Sequence, residues 1–97
     1  MDKIYGLLGI AARARKLSFG EQVLTDIRNS SAKVVLISES ASDNTKKKIS
    51  DKCKYYNITY FMCDEFKMNH AIGRGNAKYL AVTDNGFAKK IKEIMKG

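Results

Sequence analysis

The run Val34 to Ile37 consists of four consecutive branched apolar residues, and no other segment constrains the fold of this chain as strongly. An uninterrupted apolar run predicts a strand that is buried on both faces, which requires helices on either side of a sheet. Two further extended segments are predicted at 58–62 and 79–83, and segments with helical spacing lie between the strands. This alternation predicts an α/β fold, a three-layer α/β/α sandwich around a small mixed central sheet.

Five helices are predicted where apolar residues recur at intervals of three and four. Their inner faces are, in chain order, Ile4, Leu7, Leu8 and Ala11, with Arg13 and Arg15 closing this helix; Val23, Leu24 and Ile27; Ile49, Cys53 and Tyr56; Phe66 to Ala71; and Phe87, Ile91, Ile94 and Met95. Ser42 or Asp43, Asp64 and Asp84 are candidate N-caps of the last three helices. A short extended piece is predicted at 16–19. With 97 residues, the chain predicts one domain spanning 1–97.

Several classes of protein are excluded by composition. No apolar run approaches the roughly 20 residues of a membrane span. Asp2 precedes the short N-terminal apolar stretch and arginines follow it, an order that is wrong for a secretory signal and predicts a cytoplasmic protein. Cys53 and Cys63 are ten positions apart with no histidine at ligand spacing, so we expect core thiols and no metal or cofactor.

Net charge is the informative bulk property. The 18 basic and 10 acidic residues give a net charge of +8, shared between both halves of the chain. A basic excess on a folded surface predicts a polyanionic partner, with nucleic acid favoured over an anionic membrane.

Two loops in the first half of the chain combine polar and basic residues. Gly20 opens the second helix, where it would let the backbone approach a ligand, and Glu21 and Gln22 can hydrogen-bond base edges. The preceding cations, Arg13, Arg15 and Lys16, suit phosphates. After the strand at 34–37, the segment 38–48 supplies hydroxyls and carboxylates and then Lys46 and Lys47. The alternative interpretations are a solvated turn in the first case and a solvated lysine face in the second.

A third loop, Ile72 to Asn76, places Gly73 and Gly75 on either side of Arg74. This segment is either a tight turn or a backbone platform against a nucleotide. A catalytic nucleotide cradle is disfavoured, because the third glycine of a dinucleotide fingerprint is missing and the turn precedes a strand. His70 has no nucleophile partner at useful spacing, so we expect a protein that is not an enzyme.

The chain resembles the kink-turn RNA-binding ribosomal-protein superfamily, and within it the small bacterial YlxQ-type branch. The resemblance rests on LLGIAARARK at 7–16, Gly20-Glu21-Gln22, AKVVLISESAS at 32–42, NTKKKISDKC at 44–53, IGRGNA at 72–77 and VTDNGFAKKI at 82–91. It implies the same sandwich and binding to a sharply bent RNA, with association to the ribosome.

The resemblance also implies which residues contact RNA. In the superfamily an Asn-Glu pair begins the second helix and a lysine follows one turn later; Glu21, Gln22 and Thr25 occupy these positions here. All three depart from the motif, which predicts a weaker or differently tuned site. Glu39 and the loop at 72–74 match better, and in the superfamily this loop packs against an extruded nucleotide. The predicted RNA-binding residues are Arg13, Arg15, Lys16, Gly20, Glu21, Gln22, Thr25, Glu39, Lys46, Lys47, Ile72, Gly73 and Arg74.

The sequence thus predicts a monomeric, non-catalytic protein that binds structured RNA through the loops at one edge of the sandwich. One alternative is a protein-interaction module of the ribosome or transcription machinery with only generic RNA affinity.

Overall fold

In the computed structural model, which describes residues 3–96, five helices and four strands follow one another along the chain. They are α1 (Lys3–Arg13), β1 (Leu17–Phe19), α2 (Glu21–Arg28), β2 (Val34–Ser38), α3 (Asp43–Tyr55), β3 (Tyr60–Cys63), α4 (Glu65–Ile72), β4 (Tyr79–Val82) and α5 (Asn85–Lys96).

The four strands form one mixed sheet in the order β1-β4-β2-β3. Strand β2 pairs parallel with β3, whereas β4 pairs antiparallel with both β1 and β2. Three strands therefore run in one direction, and their carboxyl ends meet at the same side of the sheet. We call the side at Phe19, Ser38 and Cys63 the upper edge, and the side at Leu17, Val34 and Val82 the lower edge.

Helices cover both faces of this sheet because its residues alternate between two cores. Helices α1, α4 and α5 pack on one face, against Val34, Leu36, Leu80 and Val82. Helices α2 and α3 pack on the other, against Val35, Ile37 and Ala81. All five residues of β2 are buried, as a strand covered on both faces requires. The predicted α/β/α sandwich around a small mixed sheet is confirmed.

The predicted N-caps are also confirmed in their local geometry. The Ser42 hydroxyl accepts a hydrogen bond from the Thr45 N–H at 3.1 Å, so Ser42 rather than Asp43 caps α3. The Asp64 carboxylate accepts from Lys67 N–H at 2.8 Å, and Asp84 accepts from Phe87 N–H at 3.0 Å. Each bond satisfies a backbone donor that has no partner inside the first turn.

Some element boundaries differ from the sequence expectation. Strand β3 spans Tyr60–Cys63 rather than 58–62, because the Ile58 N–H still closes α3 by bonding to Cys53 O and Asn57 has a φ of 60°. Helix α1 ends at Arg13, with Arg15 outside it at a φ of 59°. Ile72 is the last residue of α4 rather than part of the turn. Within residues 3–96 no helix is long and apolar enough to cross a bilayer.

Candidate nucleic-acid interface

The N-terminus of α2, which we call the α2 entrance, lies at the upper edge, and its first backbone N–H groups have no acceptor within the helix. Its N-cap, Gly20, has a φ of 58° and a ψ of −137°, a combination that favours glycine, and among residues 3–96 no side chain caps this helix. An added Cβ at Gly20 would meet nothing within 4 Å. The backbone at the start of α2 is therefore approachable, and it carries the partial positive charge of a helix N-terminus.

Glu21 and Gln22 begin this helix as exposed side chains. The Gln22 amide is oriented by its own helix, since Nε2 donates to Oδ1 of the buried Asp26 at 2.9 Å. This bond uses one of the two amide N–H groups and leaves the other N–H and the carbonyl for a ligand. Thr25, one turn further, is exposed and supplies a hydroxyl in place of a cation.

The carboxyl end of β2 is tied to two other parts of the upper edge. The hydroxyl of the buried Ser38 donates to Glu65 Oε1 at 2.7 Å, and Lys78 Nζ donates to Glu65 Oε2 at 2.8 Å. These hydrogen bonds from Lys78 and Ser38 lower the pKa of the Glu65 carboxyl. Glu39, the next residue after β2, remains exposed. The network joins the end of β2, the start of α4 and the residue that precedes β4.

Residues 73–78, the return loop, bring the chain from α4 back to the upper edge. Gly73 adopts the left-handed conformation, with a φ of 75°, and thereby ends α4. The buried Asn69 holds the loop: its Nδ2 donates to Ala77 O at 3.0 Å and its Oδ1 accepts from Ala77 N–H at 2.7 Å. Because the backbone of Ala77 satisfies both the donor and the acceptor of the Asn69 amide, the loop is held in one conformation.

Arg74 connects the return loop to the entrance of α2. Its Cζ lies 3.8 Å from the centroid of the Phe19 ring, a cation–π contact, and Phe19 is followed directly by Gly20. Arg74 and Phe19 both line a cavity of about 240 Å³, together with Gly20, other residues of the return loop and Tyr79. Gly20 and the return loop, which are about 50 residues apart in sequence, thus border the same cavity.

Arg74 also lines a second, larger groove of about 490 Å³. It is bordered by Ser40 and by α4, where the rings of Phe66 and His70 stack with their centroids 6.1 Å apart. Phe66 is 78% exposed, which is unusual for a phenylalanine. His70 is exposed.

Lys46 and Lys47 also belong to the upper half of the molecule, because α3 begins at the upper edge beside α2. Lys47 forms an exposed salt bridge with Asp51 one turn later, at 3.2 Å. Such an exposed pair contributes little to stability, so it leaves the lysine available for exchange with a phosphate.

The structure corrects the expectation that one edge of the fold holds both the α2 entrance and the cations that precede it. The entrance lies at the upper edge, whereas Arg13, Arg15 and Lys16 do not lie beside it. Lys16 O accepts from Thr83 N–H at the lower edge, whereas Gly20 follows the upper end of β1. An extended strand rises about 3.3 Å per residue, so Lys16 and Gly20 are separated by about 13 Å along β1. Sequence proximity suggested one site, but the strand between them places the two groups on opposite edges.

The two cysteines are buried and free. Burial raises the pKa of Cys53 to about 11. The pKa of Cys63 is raised to about 12, first by burial and then by the negative charges of Glu39, Asp64 and Glu65. Both are core thiols rather than nucleophiles. Among residues 3–96 no cluster of three or more metal-ligating side chains occurs.

Several residues of this edge were not identified from the sequence, namely Phe19, Glu65, Asn69 and Lys78. Asn69 offered one usable signal, a polar residue between the apolar residues of a short helix. Phe19 offered none, because its role depends on the return loop reaching it from a distant part of the chain.

Comparisons with known proteins agree with this fold. Residues 2–92 match the ribosomal protein L7Ae/L30e/S12e/Gadd45 family. The RNA-binding protein YlxQ of Enterococcus faecium is 44% identical over 98 residues, covering 99% of this chain and 94% of that protein. The RNA-binding protein YlxQ of Bacillus subtilis (strain 168) is 44% identical over 93 residues, covering 94% of this chain and 93% of that protein.

Two solved structures share the architecture. A protein of unknown function from Bacillus halodurans C superimposes with a TM-score of 0.94 at 35% identity, and each chain is covered completely. The 15.5kD RNA binding protein of Giardia lamblia superimposes with a TM-score of 0.79 at 14% identity, covering 95% of this chain and 81% of that one. The second likeness concerns the fold alone.

Proposed function

The chain belongs to the ribosomal protein L7Ae/L30e/S12e/Gadd45 family, and we propose that it is a non-catalytic RNA-binding protein that recognises a bent, structured RNA through the upper edge. The observation that carries this proposal is the contact of Arg74 with Phe19, because the return loop and the α2 entrance border the same cavity at this contact. The names of the relatives from Enterococcus faecium and Bacillus subtilis support RNA as the ligand.

The upper edge offers the two kinds of contact that RNA recognition needs. Arg74, Lys46 and Lys47 supply cations for the phosphate backbone, which positions an RNA without reading its sequence. Gln22, Glu21 and Glu39 supply acceptors, and Gln22 also supplies a donor, for the edges of bases. An edge built of loops suits a bend with splayed bases better than a regular A-form groove, whose major groove is too narrow for side chains.

The departures at Glu21, Gln22 and Thr25 are part of the proposal. Gln22 retains both a donor and an acceptor, whereas Glu21 can only accept and Thr25 carries no charge. We therefore propose a preference for a kink-turn-like RNA that is weaker than an Asn-Glu-Lys motif would provide. Association with the ribosome, a cytoplasmic location and a monomeric state complete the proposal. Sedimentation of the protein with and without ribosomes would test the ribosome association and the monomeric state, and fractionation of cells would test the location.

The direct test is a binding titration with two RNAs. One carries a kink-turn with tandem guanine–adenine pairs, and the other has these pairs replaced by Watson–Crick pairs. Titrations at about 50 mM and about 200 mM salt should give a log–log slope of roughly −2 to −4, as expected for contacts to three to five phosphates. Tighter binding of the kinked RNA supports the proposal.

Two other outcomes would contradict parts of it. Equal and steeply salt-dependent binding of both RNAs would mean a generic RNA surface without recognition of the bend. No binding of either RNA would favour the alternative, a protein-interaction module of the ribosome or transcription machinery.

A further inference from the structure

Five cations gather at the lower edge, away from the proposed site. Lys16 and Lys33 flank the end of β4, since Lys16 O accepts from Thr83 N–H and Lys33 N–H donates to Val82 O. The two lysines are thus two strand spacings apart, about 10 Å. We call the five residues the lower basic surface: Arg13 and Arg28 at the ends of α1 and α2, Arg15 and Lys16 before β1, and Lys33 before β2.

In the part of the chain that the structure describes, these cations have no carboxylate partner in an ion pair. Within residues 3–96, only the Lys33 side chain of the five donates a hydrogen bond, from Nζ to Ser30 O. Arg13, Arg15, Lys16 and Arg28 are exposed. The carboxylate that follows β4, Asp84, serves as the N-cap of α5. Five cations without ion-pair partners, beside a single carboxylate, create a positive potential that attracts a polyanion.

The backbone conformation of Arg15 indicates that a role in the fold does not by itself explain why an arginine stands there. Arg15 N–H bonds to Ala12 O and Lys16 N–H bonds to Ala11 O, which is a Schellman motif with Arg15 at its left-handed position, φ 59°. The left-handed residues after α2, α3 and α4 are Ser30, Asn57 and Gly73, none of which carries a charge. Glycine and asparagine tolerate positive φ best, whereas an arginine is disfavoured there.

Cations at a helix C-terminus interact favourably with the helix dipole. That interaction accounts for Arg13 and Arg28, which lie in the last turns of α1 and α2. It does not require a cation at the left-handed position, because α3 and α4 end at that position without one. Arg15 therefore places a charge where the fold alone would favour glycine or asparagine.

We propose that the lower basic surface binds the phosphate backbone of a second RNA segment, so that one molecule holds two RNA segments on opposite edges of its sheet. This inference rests on the proposed function only in taking RNA as the partner. The molecule measures 28 × 26 × 26 Å, so a short RNA that covers the upper edge leaves the lower edge uncovered. Contacts to phosphates alone make the second interaction independent of sequence and strongly salt-dependent.

The first experiment measures the second RNA directly. Protein saturated with a short kink-turn RNA is titrated with a fluorescent plain duplex, using wild type and the triple variant Arg13→Gln, Arg15→Asn, Lys16→Gln. Asparagine is chosen at position 15 because it tolerates the positive φ. The matched control removes three exposed cations from α5: Lys89→Gln, Lys90→Gln, Lys96→Gln.

We expect the lower triple variant to bind the duplex about tenfold more weakly, with a salt slope flatter by about 2 to 3, and the control to change by less than about threefold. Both variants should retain the affinity of wild type for the kink-turn RNA alone. Displacement of the duplex by the kink-turn RNA, or equal effects of the two triple variants, would overturn the inference.

Failure of the proposed function gives a different result. If the kink-turn RNA does not bind preferentially, the duplex titration without it still compares the two triple variants and tests the lower basic surface. A duplex that does not bind wild type, while an acidic protein does, would overturn RNA as the partner of this surface.

The second experiment uses the strain at Arg15. Arg15→Gly should raise the midpoint of thermal unfolding by about 2 to 6 °C, because glycine suits the left-handed position. The same substitution should weaken duplex binding about threefold, since one phosphate contact is lost. A lowered unfolding midpoint would mean that the arginine serves the fold, and unchanged duplex binding would remove it from the surface.

Discussion

The side chain of Asn69 pairs with the backbone of Ala77 much as one strand pairs with another. Its amide donates to Ala77 O at 3.0 Å and accepts from Ala77 N–H at 2.7 Å, and Nδ2 also reaches Glu65 O at 2.9 Å. Asn69 is 5% exposed, so these bonds lie away from solvent. One buried side chain thereby fixes where the return loop stands relative to α4 and the α2 entrance.

Replacement of this asparagine should loosen the upper edge. Asn69→Ala leaves the N–H and C=O of Ala77 without partners, and we expect a loss of about 3 kcal/mol in the free energy of unfolding, measured by urea denaturation. The preference for the kinked RNA should fall with it. Asn44→Ala, on the exposed side of α3, should change stability by less than about 0.5 kcal/mol. Equal effects of the two substitutions would mean that the asparagine does not hold the loop.

Recognition of the bend and attachment to phosphates should separate by mutation. Gln22→Ala removes the amide at the α2 entrance, and we expect it to abolish the preference for the kinked RNA over its Watson–Crick counterpart. Lys47→Ala should weaken both RNAs about equally and flatten the salt slope by about 1. Parallel titrations of the two variants with both RNAs provide the measurement. If Gln22→Ala leaves the preference unchanged, the α2 entrance does not read the bend.

The Ser38–Glu65–Lys78 network should make stability depend on pH. Since the pKa of Glu65 is lowered in the folded protein, its contribution is present above the ordinary value of 4.5 and is lost as the pH falls through the lower folded value. Wild type should therefore be more stable than Glu65→Gln at neutral pH, and the difference should vanish in acid. Chemical denaturation from about pH 7 to about pH 3 measures it, with Glu93→Gln on α5 as the control. A difference that stays constant over this range would contradict a charged role for Glu65.

The buried thiols should be inert until the protein unfolds. With pKa values raised to about 11 for Cys53 and about 12 for Cys63, almost no thiolate is present near neutral pH. Alkylation by iodoacetamide, followed by mass spectrometry, should label neither residue in the native protein and both in concentrated guanidinium chloride. Cys63 Sγ lies 3.4 Å from Met68 Sδ, so rapid labelling of native Cys63 would show that the junction of β3 and α4 opens readily.

The layered fold was accessible from the sequence because its signals are local. The apolar run at Val34–Ile37 reports a strand covered on both faces, and the helical spacing of Ile4, Leu8 and Ala11 reports a helix with one buried side. Capping is local as well, since Ser42 and Asp64 bond to a backbone donor only three residues away. The prediction of an α/β/α sandwich needed nothing beyond such short-range patterns, together with the resemblance to a known superfamily.

The positions of the functional side chains were decided by tertiary structure, because strand direction and pairing are long-range properties. Arg15 and Gly20 are five residues apart in sequence, yet β1 separates them and its antiparallel pairing with β4 places them on opposite edges. Arg74 and Phe19 are far apart in sequence. The hydrogen bonds from Asn69 to Ala77 nevertheless hold the return loop where Arg74 Cζ lies 3.8 Å from the centroid of the Phe19 ring. Periodicity and capping determine which elements form, whereas the pairing of distant strands determines which residues share a surface.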